Sequence, residues 1–211
     1  MQVFAFGHSI TQGFWDCEGG WVQRLRKFLD EKSLENPEKY YFEVYNLGVS
    51  GDDTRQLLDR FEDELEARLW EEDGTTIILQ VGANDIIRLR EENEIAVPEE
   101  EFEENLGELI ALAREHADSV LLVGEAYTTI DGPIPWAEQK ELSDERLERY
   151  VEMQRKVCRE ENVPYVDLRS MYSKEEWSEM LEDGSHPDRE GHKVIYKSVL
   201  DRLKQEGMLG L

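Results

Sequence analysis

Apolar positions along this chain fall into two rhythms that alternate from end to end. Short, nearly continuous apolar runs occur at Val3 to Phe6, Tyr41 to Asn46, Thr75 to Val81, Ser119 to Val123 and Val163 to Leu168. They have strand length, and the third is strongly β-branched, the character of strands buried on both faces. Between them lie longer stretches with an apolar residue every three or four positions, the spacing of one helical face. Gly20 to Asp30 places Trp21, Leu25, Phe28 and Leu29 on such a face. Asp53 to Glu71 does the same with Leu57, Leu58, Phe61, Leu65 and Leu69, and Asp52-Asp53-Thr54 supplies its cap. Pro98 opens a helix to His116 with Phe102, Leu106, Leu109, Ile110 and Ala113 inward. Leu142 to Glu161 and Glu190 to Gln205 complete the predicted helices.

Strands that alternate with helices imply a parallel sheet, because parallel neighbours need a crossover, and helices then cover both faces. The expectation is an α/β fold with a five-stranded parallel sheet in one domain, residues 1–211. No internal repeat or low-complexity linker interrupts it. The longest irregular stretch is Ala126 to Lys140, with Gly132, Pro133 and Pro135, and a loop of that length in a compact domain is often functional. In an open α/β sheet the site lies beyond the carboxyl ends of the strands. The residues just after each strand are therefore the ones to weigh.

Gly7-His8-Ser9-Ile10-Thr11 follows the first strand, and Asn46 to Asp52 ends the second. Gly82-Ala83-Asn84-Asp85 follows the third, and Asp183-Gly184-Ser185-His186-Pro187 precedes the last helix. Together these are the ingredients of acyl transfer. A serine needs a base for its proton, the base needs an acid to fix its tautomer, and the oxyanion needs donors aimed at it. Asp183 and His186 are three residues apart in a turn, so the carboxylate can fold back onto Nδ1 and leave Nε2 facing a serine. Asn84 offers a neutral donor, and Gly51 a backbone N–H open to close approach.

The four segments, in this order, resemble the sequence blocks of the SGNH hydrolases, also called the GDSL esterase/lipase family. Gly7, Ser9, Ile10 and Thr11 match the first block, Asn46 to Gly51 the second, Gly82 to Asp85 the third and Asp183 to Pro187 the last. Each motif alone is weak; four in order across nearly the whole chain are specific. The resemblance implies a flavodoxin-like three-layer α/β/α sandwich. It implies Ser9 as nucleophile, His186 as base and Asp183 as its orienting acid. It implies an oxyanion hole built from the N–H groups of Ser9 and Gly51 and the amide of Asn84. The expected substrate is a small ester or thioester. An acyltransferase, or an esterase removing acetyl groups from carbohydrate, is the alternative on the same site.

His8 departs from the pattern, which usually has Asp there. That Asp braces the nucleophile turn, and a neutral His can replace part of the bracing by donating at one ring nitrogen and accepting at the other. It does not supply the negative charge. Adjacent side chains leave a turn in different directions, so His8 is expected to point away from the Ser9 hydroxyl. A scaffold that keeps the fold but has lost catalysis is the reading of another class. Trp15, Tyr127 and Trp136 are candidates for lining the substrate pocket, or for simple packing. His116 and His192 read as surface residues. Asp52 and Asp53 read as a helix cap in preference to a metal pair, and the chemistry calls for no metal or cofactor.

Bulk composition narrows the partners. The chain carries 49 acidic and 24 basic residues, a net charge of −25. Phosphate binding needs clustered Lys and Arg, so nucleic acid and anionic membrane surfaces are poor partners. Acidic helix faces at Glu62 to Glu72 and Glu99 to Glu108 fit a highly solvated surface, with adaptation to high salt as the sharper account. No run approaches the ~20 apolar residues of a membrane span. No leader is visible, and Cys17 and Cys158 have neither ligand spacing nor a CxxC motif, so a cytoplasmic, reducing setting is expected.

Overall fold

The computed structural model describes residues 1–70 and 74–211. β1 (Gln2–Gly7) leads into one helical turn, α1 (Ser9–Gln12), and then α2 (Gly20–Glu35). β2 (Glu43–Gly48), α3 (Thr54–Glu66) and β3 (Thr75–Gln80) follow. The short strands β4 (Arg88–Leu89) and β5 (Glu94–Ile95) precede α4 (Glu99–His116) and β6 (Ser119–Val123). Next come β7 (Gly132–Ile134), β8 (Ala137–Leu142), α5 (Asp144–Glu160) and β9 (Tyr165–Val166). Two short helices, α6 (Leu168–Met171) and α7 (Lys174–Ser178), lead to α8 (Arg189–Gln205).

The main sheet is parallel throughout, in the order β2-β1-β3-β6-β9. That is the flavodoxin-like strand order, with its switch point beside β1. The two-residue alternation of strands explains the three layers. Val3, Ala5, Ile78, Leu121 and Val123 point to one face and meet Trp21, Leu25 and Leu29 of α2 and Ile195, Val199 and Leu203 of α8. Phe4, Phe6, Ile77, Leu79 and Leu122 point to the other and meet Phe61 of α3, Phe102, Leu106 and Ile110 of α4 and Tyr150 of α5. Register then levels the strand ends: Gly7 pairs with both Gly48 and Gln80. Three loops therefore leave the sheet at one edge.

Some expectations change. The stretch Ala126 to Lys140 is not irregular throughout: it contains β7 and most of β8, paired as a hairpin around Pro135 and Trp136. β8 also pairs with β4, giving a small antiparallel sheet in the order β5-β4-β8-β7. Its strands lack a half-buried alternation, and their support comes from distant residues, such as Arg90 paired with Glu141. No local pattern announces such a sheet. Leu142 ends β8, and Ser143 caps α5 one residue later. α3 ends at Glu66, earlier than its apolar stripe suggests, because the Gln2 side chain captures the next backbone. It donates to Arg68 O and accepts from Trp70 N, each at 2.8 Å. The expected helix end at Glu71 lies outside the described residues.

Candidate active site

The site begins with a close approach. A Cβ on Gly7 would lie 2.3 Å from Thr11 Oγ1 and 2.4 Å from the Gln80 carbonyl, so only glycine lets β1 turn this tightly against β3. His8 is the N-cap of α1, with extended backbone, and its Nδ1 accepts the Ile10 N–H at 3.3 Å. Ser9 is the first helical residue, where an N–H has no acceptor inside the helix. Gly13, at φ 97°, closes the turn. The Arg60 guanidinium donates to the carbonyls of Gly7 and Leu47 and pairs with Asp52 at 2.7 Å, tying the ends of β1 and β2 together.

His186 arrives from the opposite end of the chain, 177 residues away. Its Nε2 lies 3.0 Å from Ser9 Oγ, and its Nδ1 lies 2.7 Å from Asp183 Oδ2. Glu182 N donates to His186 O, and Thr129 N and Thr128 Oγ1 both donate to Gly184 O, so the loop between them is fixed on both sides. Asp183 Oδ1 accepts the backbone N–H groups of Ser185 and His186 at 3.0 and 2.8 Å. Burial pushes the Asp183 carboxyl upward, but the donors from His186, Trp15 and Ser185 overrule it and hold the group below the ordinary carboxylate range.

The loops after β2 and β3 are latched to each other. Asn84 Nδ2 donates to the Asp52 carbonyl at 2.8 Å. Asp85, fully buried, accepts from Thr54 N and Thr54 Oγ1 at 3.0 and 2.6 Å. Its other oxygen has no partner among the described residues. Burial raises this carboxyl to about 6 against the pull of the Thr54 donors. Gly51 adopts φ 94°, a left-handed conformation that suits glycine. Asp53 caps α3 in a reciprocal box with Gln56, and Asp52 is paired with Arg60. The two acids that could have formed a metal pair thus have other partners.

The aromatic candidates separate. Trp15 Nε1 donates to Asp183 Oδ2 at 2.6 Å, so its indole sits on the carboxylate that faces His186. Trp136 is half exposed, with its ring 5.9 Å from that of His186. Tyr127 donates to Arg169 O at 3.1 Å and stacks under the Arg169 guanidinium; it lines a small cavity of about 30 Å³ together with Ile10 and Ser185. Phe14, not foreseen, lies 5.0 Å from the His186 ring, and its place beside Trp15 just after the turn bearing Ser9 was the available signal. His192 is corrected from surface to core: it is fully buried, and its Nε2 donates to Phe14 O at 2.9 Å. Burial holds it below the ordinary imidazole range. The first turn of α8 packs here against the Phe14 carbonyl and the start of α2 at Gly20, which its sequence position alone does not reveal.

His8 points away from the Ser9 hydroxyl and into the protein. Its Nε2 lies 2.7 Å from Glu125 Oε1, and both side chains are buried. Burial opposes a charge on His8, but the attraction and hydrogen bond of Glu125, with smaller pulls from Asp85 and Asp52, raise it above the ordinary imidazole range. Glu125 lies two residues beyond β6, at the same sheet edge as the other loops. Reading that strand end as the others were read is the signal that finds it.

Comparison with known proteins agrees with this architecture. A GDSL esterase/lipase of Arabidopsis thaliana is 28% identical over 98% of this chain and 87% of its own length. The acetyl xylan esterase AlAXEase superposes with a TM-score of 0.73 at 23% identity, covering 95% of this chain and 98% of its own. The acetylxylan esterase Axe2 of Geobacillus stearothermophilus gives a TM-score of 0.70 at 18% identity, with 96% and 93% covered. These structural likenesses concern the fold. The sequence model of the GDSL-like Lipase/Acylhydrolase family matches residues 5–194, nearly the whole chain, and the protein belongs to that family.

Proposed function

We propose that the protein is a serine esterase working through an acyl-enzyme on Ser9. The observation that carries this reading is the continuous line Ser9 Oγ, His186 Nε2, His186 Nδ1, Asp183 Oδ2, with contacts of 3.0 and 2.7 Å. His186 takes the hydroxyl proton as Oγ attacks the ester carbonyl, and Asp183 stabilises the imidazolium that forms. The developing oxyanion is met by the N–H groups of Ser9 and Gly51 and by the Asn84 amide. One Asn84 N–H is spent on Asp52 O; the other is free to point at the oxygen. His186 then protonates the leaving alcohol and activates water, which releases the acid.

Hydrolysis of p-nitrophenyl acetate, butyrate and a thioacetate by the wild type and by Ser9→Ala, His186→Ala and Asn84→Ala tests this. Ser9→Ala and His186→Ala should lose roughly 10⁴-fold or more in kcat, and Asn84→Ala about 10² to 10³-fold. Equal rates for all four proteins refute the reading.

A second reading concerns the substrate: an O-acetyl ester on carbohydrate. The half-exposed rings of Trp15 and Trp136 flank His186 and Asp183, where a sugar ring could stack. Acetylxylan esterases among the structural neighbours make the same substrate class worth testing. The His8–Glu125 arrangement speaks against a scaffold that has lost catalysis, since the turn bearing Ser9 keeps its cap.

A further inference from the structure

Glu125 takes no part in the relay above, yet it is a buried acid beneath the nucleophile turn, 3% exposed, against a His that is 1% exposed. Glu125 favours the charged imidazole, but acceptance of the Ile10 N–H needs a lone pair on Nδ1, so it is the neutral ring that caps α1, and a neutral imidazole has one proton to place. Glu125 as a carboxylate only accepts, so the proton belongs on His8 Nε2, 2.7 Å from Glu125 Oε1. Nδ1 is then a lone pair, and it takes the Ile10 N–H at 3.3 Å. The N–H groups of Ser9, Ile10 and Thr11 have no acceptor inside α1, whose first internal bond is Gln12 N to His8 O. His8 absorbs that of Ile10 and leaves that of Ser9 uncommitted. Because α1 is four residues long, its cap is a large part of what holds it.

We propose that Glu125 is a positioning residue: it fixes the His8 tautomer, and through the Ile10 cap it holds Ser9 so that its N–H faces the oxyanion. The proposal rests on the esterase reading for the role of that N–H. Loss of the carboxylate leaves the His8 Nε2–H buried without an acceptor or moves the proton to Nδ1, where it opposes the Ile10 N–H. Either outcome loosens the cap. An acid at position 8 would accept the Ile10 N–H by itself and need no partner, but beside Glu125 it would bury two carboxylates together.

The test joins a spectroscopic readout with a rescue. Nitrogen-15 imidazole shifts of the wild type at pH 9 should show His8 as the neutral Nε2–H tautomer. Glu125→Leu and His8→Asp should each lose roughly 10- to 100-fold in kcat/KM for p-nitrophenyl acetate, the scale of a misplaced reacting group. The double variant His8→Asp/Glu125→Leu should recover most of that loss. A wild-type proton on Nδ1, an unaffected Glu125→Leu, or a double variant no better than the singles overturns the proposal. If the wild type cleaves no ester, the esterase reading fails, and the tautomer still decides what Glu125 does. It also decides should a variant not fold.

Discussion

Asp183 accepts the Trp15 indole N–H at 2.6 Å through Oδ2, the same oxygen that His186 Nδ1 approaches at 2.7 Å. The loop after α1 and the loop before α8 therefore meet on a single carboxylate oxygen. Trp15 holds φ 66°, a left-handed conformation that is unusual for a bulky residue and of a kind that clusters at functional sites. The neighbouring Phe14 is anchored twice, by its ring 4.7 Å from that of Trp15 and by its carbonyl on His192.

Trp15→Phe keeps an aromatic ring and removes the donor. The indole N–H helps hold Asp183 below the ordinary carboxylate range. Without it, Asp183 grips the protonated His186 more firmly, and the acid limb of the kcat/KM profile shifts to higher pH. The expected loss in kcat is about tenfold, the order of one hydrogen bond to a charged group. KM for p-nitrophenyl acetate should hardly move. A change confined to KM would make Trp15 a substrate contact only.

Asp85 offers a stability test with a definite sign. Its carboxyl is raised from 3.8 to about 6 by burial. Its contribution to stability is therefore fully present below pH 3.8 and is lost as pH rises through 6. Asp85→Asn keeps an oxygen for Thr54 and never ionises. Between pH 4 and 8 the stability difference should move in favour of Asn, on the order of 2–3 kcal/mol. Thermal or urea unfolding across that range measures it. A difference that does not change with pH refutes it.

Trp136 offers a test between the proposed simple esters and acetylated sugars. Trp136→Ala should raise KM for acetylated xylo-oligosaccharides severalfold, about 1 kcal/mol of lost stacking. KM for p-nitrophenyl acetate should rise less. Equal effects on both substrates would remove the argument for a sugar.

How much of this was legible depends on the range of the interaction. Ser9, Gly51, Asn84, Asp183 and His186 stand out as candidates because each lies on a turn beyond an apolar run or before a helix, and the structure sets Ser9, His186 and Asp183 in one hydrogen-bonded line. The Asp183–His186 hydrogen bond spans three residues. Trp15 was legible as a site aromatic but not as a donor to Asp183, which is 168 positions away. The small sheet was hidden because β4 and β8 find each other across about 50 residues without an alternating pattern.

The sequence by itself determined the layers, the strand edge at which the candidate residues lie and the residue types gathered there. Periodicity and turn residues are local properties, and they are written in consecutive positions. Only the tertiary structure decided what His8 does. Position 8 reads as a departure from a motif until the fold brings Glu125 from 117 residues away and seats it against the imidazole. A ring nitrogen donates or accepts according to the partner on its other side, and that partner is known only once the sheet has brought β1 and β6 to a common edge.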